Sequence, residues 1–155
     1  RTAANTLDFL DCVIEEMPFP IQRVQTDRGL EFFAEKVQKK MMEYGIKFRP
    51  NKPGSPHLNG KVERSQKTDK TEFYATVDIT SENLQDQLAE WQHYYNWLRP
   101  HSALKGKTPM ERYFELSEET PFSDEVQNQY NPSDERIQNA NYKVDLEIAK
   151  LKRSL

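Results

Sequence analysis

The sequence predicts an α/β fold, on three observations. Two short runs with strand character, Ile21 to Gln25 and Ile46 to Pro50, enclose a stretch whose apolar residues recur at helical spacing. Two carboxylates, Asp27 and Glu63, have 35 residues between them, the first closing one run and the second opening a further helix. Beyond Glu63 the apolar residues keep helical spacing, so the strands are confined to the first third of the chain.

Each element has its own local warrant. Leu7, Leu10, Ile14 and Met17 alternate with Asp8, Asp11, Glu15 and Glu16 as an amphipathic helix, in which Asp8 and Asp11 read as solvated residues rather than ligands. Pro18-Phe-Pro20 bounds the strand that follows, and Asp27 falls at its end. Arg28-Gly29 signals a turn. Phe32, Phe33, Val37, Met41 and Tyr44 then predict a helix of about four turns, closed by Gly45.

Ile46 and Phe48, stopped by Pro50, predict the second strand, and the Pro, Gly, Ser and Asn of residues 51–60 predict a mobile loop. Helix resumes from Asn59, with Glu63 in its first turns. Ser81, Leu84, Leu88, Trp91, Tyr95 and Leu98 describe an amphipathic helix capped by Ser81 and stopped by Pro100, its aromatic stripe reading as core rather than as a base-stacking platform. Thr108-Pro109 opens a short helix, with Thr as cap and Pro at its first position.

After Tyr113 a polar linker is broken at Pro121, Asn131 and Pro132. From Ser133 a final helix is marked by Ile137, Val144, Ile148, Leu151 and Leu155, with Lys150, Lys152 and Arg153 where the helix dipole favours cations. The sequence leaves open whether this helix oligomerises or packs back on the core.

Composition narrows the class without naming it. A chain of 155 residues with 35% hydrophobic residues is sized for one modest core. The single Cys12 excludes a disulfide framework and a cysteine zinc site, and fits a reducing cytosol. No apolar stretch approaches the roughly 18 residues that a membrane span requires.

The net charge of −3 is unevenly distributed. Residues 47–72 hold seven Lys or Arg against three acids, whereas residues 113–135 hold seven acids and no Lys or Arg. Local field rather than net charge decides where a polyanion docks, so the first region is the candidate polyanion face. Glu63, Lys67 and Lys70 share one helical face there. Without further information the face also reads as a solvated Glu-Lys pair.

Four stretches in order resemble the catalytic core of the DDE transposases and retroviral integrases: Gln25-Thr-Asp-Arg-Gly-Leu-Glu-Phe32, Ser55-Pro-His-Leu-Asn-Gly-Lys-Val-Glu-Arg64, Tyr94-Tyr-Asn-Trp-Leu-Arg-Pro-His-Ser-Ala-Leu104 and Thr108-Pro-Met-Glu-Arg-Tyr113. The resemblance covers about residues 1–113. It implies a ribonuclease-H-like fold whose three acids bind two Mg²⁺ or Mn²⁺ ions and carry out phosphoryl transfer on DNA. Hard oxygen ligands suit those ions, and two of them stabilise both the attacking and the leaving oxygen of an in-line displacement.

Asp27 resembles the second acid of the family and Glu63 the third, as catalytic residues and metal ligands. The first acid has no counterpart. The 26 residues before Asp27 do not read as three strands but as an amphipathic helix and one strand, and the chain starts with Arg1, so the expectation is a core lacking its first strands that does not cut DNA alone.

The resemblance also implies that the basic face, with Lys61, Arg64, Lys67 and Lys70, meets DNA. His57 and Asn59 approach the scissile phosphate or stay exposed loop residues, and Gly60 gives a tight turn into the Glu63 helix. Arg28 and Arg64 neutralise phosphate or pair locally. Arg99 and His101 read chiefly as packing.

The expected organisation is a partial integrase core at 1–113, an acidic polar linker at 114–132 and a C-terminal helix at 133–155. Implied partners are transposon ends, target DNA, and a homo-oligomer or full-length transposase, in a cytoplasmic, DNA-associated setting. Two alternatives remain: a non-catalytic DNA-binding or transposase-associating remnant, and a metal-dependent nuclease of the same fold.

Overall fold

The computed structural model describes residues 2–53 and 55–154, so Arg1, Gly54 and Leu155, all used above, lie outside the described residues. Two compact units divide the chain, Arg1–Pro56 with Pro121–Leu155, and His57–Thr120.

The first unit is built on a strand–helix–strand. Helix α1, Ala3–Glu16, starts where the Thr2 side chain accepts the Asn5 amide at 3.2 Å. It ends before Pro18, which forces Met17 into extended backbone. Strand β1, Arg23–Thr26, lies parallel to β2, Lys47–Pro50, with Val24 level with Phe48 and Thr26 with Pro50. A parallel pair needs a crossover. Here it contains a 3₁₀ turn, Leu30–Phe33, and α2, Glu35–Glu43.

The expected four-turn helix is thus corrected to two pieces. Ala34 is extended at the break, and the Gln38 side chain donates to the Phe32 carbonyl at 2.6 Å. Apolar spacing could not reveal the break, because Phe33 and Val37 are both buried on either side of it. Gly45 ends α2 as expected, at φ +67°. Its amide reaches Met42 O at 3.2 Å and that of Ile46 reaches Met41 O at 2.8 Å, the paired bonds of a Schellman motif.

The core of this unit gathers Leu10, Phe33, Val37, Met41, Ile46 and Phe48, with Tyr142 and Leu146 packed against it. Phe48 meets Phe33 and Tyr142 edge to face, with ring centroids 5.4 and 6.1 Å away. Tyr142 and Leu146 belong to the final helix, α7, Pro132–Arg153, which therefore packs back on the core. Its cap is Asn131, whose side chain accepts the Ser133 amide, and Pro132 is the first helical residue rather than a break.

Part of the stretch read as a polar linker is helical. Ser123–Asn128 forms a short helix, α6, with Val126 buried, and the Gln127 side chain donates to Tyr44 O at 2.9 Å. A single buried apolar residue gives no periodicity to read.

The second unit is helical. Helix α3, Gly60–Thr68, widens into a π-type turn, Asp69–Phe73, and α4, Leu84–His93, into another, Tyr94–Leu98. The cap of α4 is Asn83 rather than Ser81, whose hydroxyl instead meets the Asn83 side chain. Phe73 is buried and stacks on Trp91, with Trp91 against Tyr94 and Tyr95; of the expected stripe, Leu84, Leu88, Trp91 and Tyr95 are half-buried and Leu98 is exposed. Helix α5, Pro109–Leu116, opens on the predicted Thr108 cap, completed by the Glu111 carboxylate as a capping box.

Candidate functional site

In the first unit the site residues gather at the carboxyl end of the parallel pair. Asp27 directly follows β1, is exposed, and accepts the Gly29 amide on Oδ1 at 3.1 Å. That local bond fixes the turn and directs the chain away from the strand. Carboxyl ends of parallel strands are where open α/β sheets present their ligand-binding groups.

Beside Asp27, Arg28 donates from Nη1 to the Asn51 carbonyl at 3.4 Å, while its Nε and Nη2 are buried without a hydrogen-bond partner. Buried guanidinium donors are costly to leave unpaired, and an oxyanion is their natural complement. Asn51, also buried, accepts from Gln25 Nε2 at 2.6 Å, and its amide donates to Thr26 O at 2.9 Å. Sequence reasoning missed Gln25 and Asn51. The parallel register was the available signal, since pairing Thr26 with Pro50 places Asn51 level with Asp27.

Asp8 and Asp11 are exposed on α1, and Asp11 binds Lys40 at 2.6 Å, in keeping with the solvated role expected of them. Arg49 is absorbed into the fold. Its guanidinium makes two bonds to the Glu135 carboxylate, at 2.8 and 2.7 Å, and this pairing raises the already high arginine pKa. The positive count of residues 47–72 therefore overstates the charge offered to DNA.

In the second unit Glu63 lies exposed in the first turn of α3. His57 and Asn59 belong to the 3₁₀ turn Pro56–Asn59 that leads into this helix, His57 exposed and Asn59 at the cap position. Lys61, Arg64, Lys67 and Lys70 are all exposed, Lys70 within the π-type turn. The role expected of Gly60 is corrected. It is an ordinary first residue of α3 outside the positive-φ region, and a Cβ there would meet nothing within 4 Å.

Arg99 and His101 serve packing. Arg99 grips Glu72 through Nε and Nη2 at 2.7 and 2.6 Å and lies over the Tyr95 ring. The guanidinium holds the Glu72 carboxyl below the usual carboxylate range. His101 Nε2 meets Tyr95 O at 3.2 Å, and its ring packs edge-on against Tyr95.

Asp27 and Glu63 thus lie in different units, each exposed and each an oxygen donor suited to a hard divalent cation. Within either unit, no group of three or more His, Cys, Asp or Glu side chains suited to a metal ion occurs among the described residues. No described helix is long and apolar enough to cross a membrane.

No curated protein matches the chain. One family does, over a segment that contains Glu63 and begins after Asp27, and it implies a ribonuclease-H-like fold. Residues 44–109 match the integrase core domain, and this match supports an integrase or transposase catalytic core in the segment that holds the exposed Glu63 and its basic helix.

Proposed function

We propose that the chain acts on DNA in integration or transposition, with Asp27 and Glu63 as two of the acids that hold Mg²⁺ or Mn²⁺. When bound, such ions supply charge stabilisation to the attacking and leaving oxygens of phosphoryl transfer. The observation that carries the reading is the exposed Glu63 in the first turn of a helix lined by Lys61, Arg64, Lys67 and Lys70, inside the integrase core match. The unpartnered donors of Arg28 beside Asp27 support it, because a DNA phosphate satisfies them.

The roles of the chain's own residues follow from their charge and exposure. Lys61, Arg64, Lys67 and Lys70 neutralise phosphates and release counterions, which holds DNA without reading its sequence. Arg28 orients a phosphate beside Asp27. His57 and Asn59, at the entrance to α3, position the backbone near Glu63.

With two acids of a three-acid set, the chain by itself binds DNA and does not cut it. The test joins a binding titration on duplex DNA to a nicking assay on supercoiled plasmid in Mg²⁺ and Mn²⁺, with Asp27→Asn as control. Salt-sensitive binding without nicking is expected. Metal-dependent nicking abolished by Asp27→Asn would show that the chain holds a third acid, and no binding at low salt would remove the DNA reading.

A further inference from the structure

Helix α7 carries two opposed faces. Glu135, Gln138, Asn139, Tyr142, Leu146 and Ala149 are its less exposed residues, and Tyr142 and Leu146 pack on the core of their own unit. Ile137, Asn141, Val144, Ile148 and Leu151 form a second line, all exposed, the four apolar members at 46% to 65%. At 100° per residue the two lines are centred roughly 140° apart around the helix.

The second line steps by 4, 3, 4 and 3 residues. This is the 3.5-residue repeat of a coiled-coil seam, with Asn141 and Ile148 at a positions and Ile137, Val144 and Leu151 at d positions. In the sequence the series continues to Leu155, outside the described residues.

We propose that this seam docks against the same seam of a second copy of the chain, with the two α7 helices parallel and in register. Polar and charged residues identify the occupant and its direction. In a parallel pair Asn141 faces its own counterpart, and each side-chain amide offers both a donor and an acceptor to the other. In the antiparallel pair centred on the same seam, Asn141 instead faces Leu151, and a buried amide goes unsatisfied.

The flanking charges agree. Parallel pairing sets Glu147, a g position, against Lys152, an e position of the other copy, on both sides of the seam. Antiparallel pairing brings Asp145 to Asp145 and Glu147 to Glu147 between the copies. Within the chain Glu147 binds Lys150 at 2.7 Å, but an exposed pair of this kind contributes little and yields to the new one.

Sedimentation equilibrium of the full chain tests this. A concentration-dependent dimer is expected, reduced to monomer by Val144→Asp, a change on an exposed position that leaves the circular dichroism of the monomer intact. Glu147→Lys should weaken the dimer about tenfold through like charges across the seam, and Glu147→Lys combined with Lys152→Glu should restore it. That rescue separates pairing from any general loss of folding. In a Cys12→Ser background, Leu151→Cys should oxidise to a disulfide-linked dimer. A chain monomeric at all concentrations, a dimer indifferent to Val144→Asp, or a charge pair that fails to rescue would overturn the proposal. Cross-linking only in a mixture of the Asn141→Cys and Leu151→Cys chains would overturn the parallel arrangement.

Discussion

Arg49 on β2 and Glu135 on α7, 86 positions apart, form a two-bond ion pair in which the carboxylate side chain is only 4% exposed. Removing one partner leaves a desolvated charge without its counterion. Glu135→Ala should therefore lower stability by about 3 kcal/mol, read as an earlier urea midpoint. The double change Arg49→Met with Glu135→Leu should recover most of that loss, because burying two apolar chains carries no such desolvation penalty.

The exposed lysines of α3 and its π-type turn should set the salt response. Each phosphate contact contributes about 0.9 to the slope of log affinity against log salt on duplex DNA. Changing Lys67 and Lys70 together to Ala should flatten the slope by roughly 2. An unchanged slope in a fluorescence anisotropy titration would move the DNA surface elsewhere.

Acid should loosen the second unit through Glu72. Its carboxyl is held low chiefly by the hydrogen bonds from Arg99, so the stabilising contribution is complete above the ordinary Glu range, about 4.3. It is lost as pH falls through the depressed folded value. Glu115, held low by Lys107 and then Arg112, acts in the same direction. The deficit in urea midpoint of Glu72→Gln relative to the wild type should be full above the ordinary Glu range and shrink as pH falls below it, followed by tryptophan emission.

Two glycines should answer differently to alanine. At Gly45 the backbone is left-handed and a Cβ would stand 2.6 Å from Gln127 Oε1, so Gly45→Ala should destabilise by about 1–2 kcal/mol. Gly60 opens α3 in open space, and Gly60→Ala should be neutral or stabilise by up to about 1 kcal/mol. Thermal unfolding of the two variants checks the contrast.

Signals written locally were legible in the sequence. The cap at Gly45, the Thr108-Pro109 helix start, both strands and the places of Asp27 after β1 and Glu63 in α3 all rest on neighbouring residues. Long-range pairings were not legible. A charge count treats Arg49 as a free cation because nothing near it reveals Glu135, and likewise hides Glu72 from Arg99. Nor does apolar spacing register a break that leaves the same residues facing inward, as at Ala34, or an inserted residue, as in the two π-type turns. The register linking Asn51 to Asp27 lay between these cases, since it follows once the strands are taken as parallel.

The π-type turn at Asp69–Phe73 sets the rotational phase between the basic helix and the aromatic core. A turn with one surplus residue is a small reservoir of chain length. Deleting that surplus residue would leave a regular helix with its phase roughly kept, whereas inserting a further residue would swing every side chain beyond it by about 100° relative to Glu63. Phe73 would leave Trp91, and Glu72 would leave Arg99. Insertions in this turn are therefore far more disruptive than substitutions on the exposed face before it, and the helix tolerates altered chemistry more readily than an added residue.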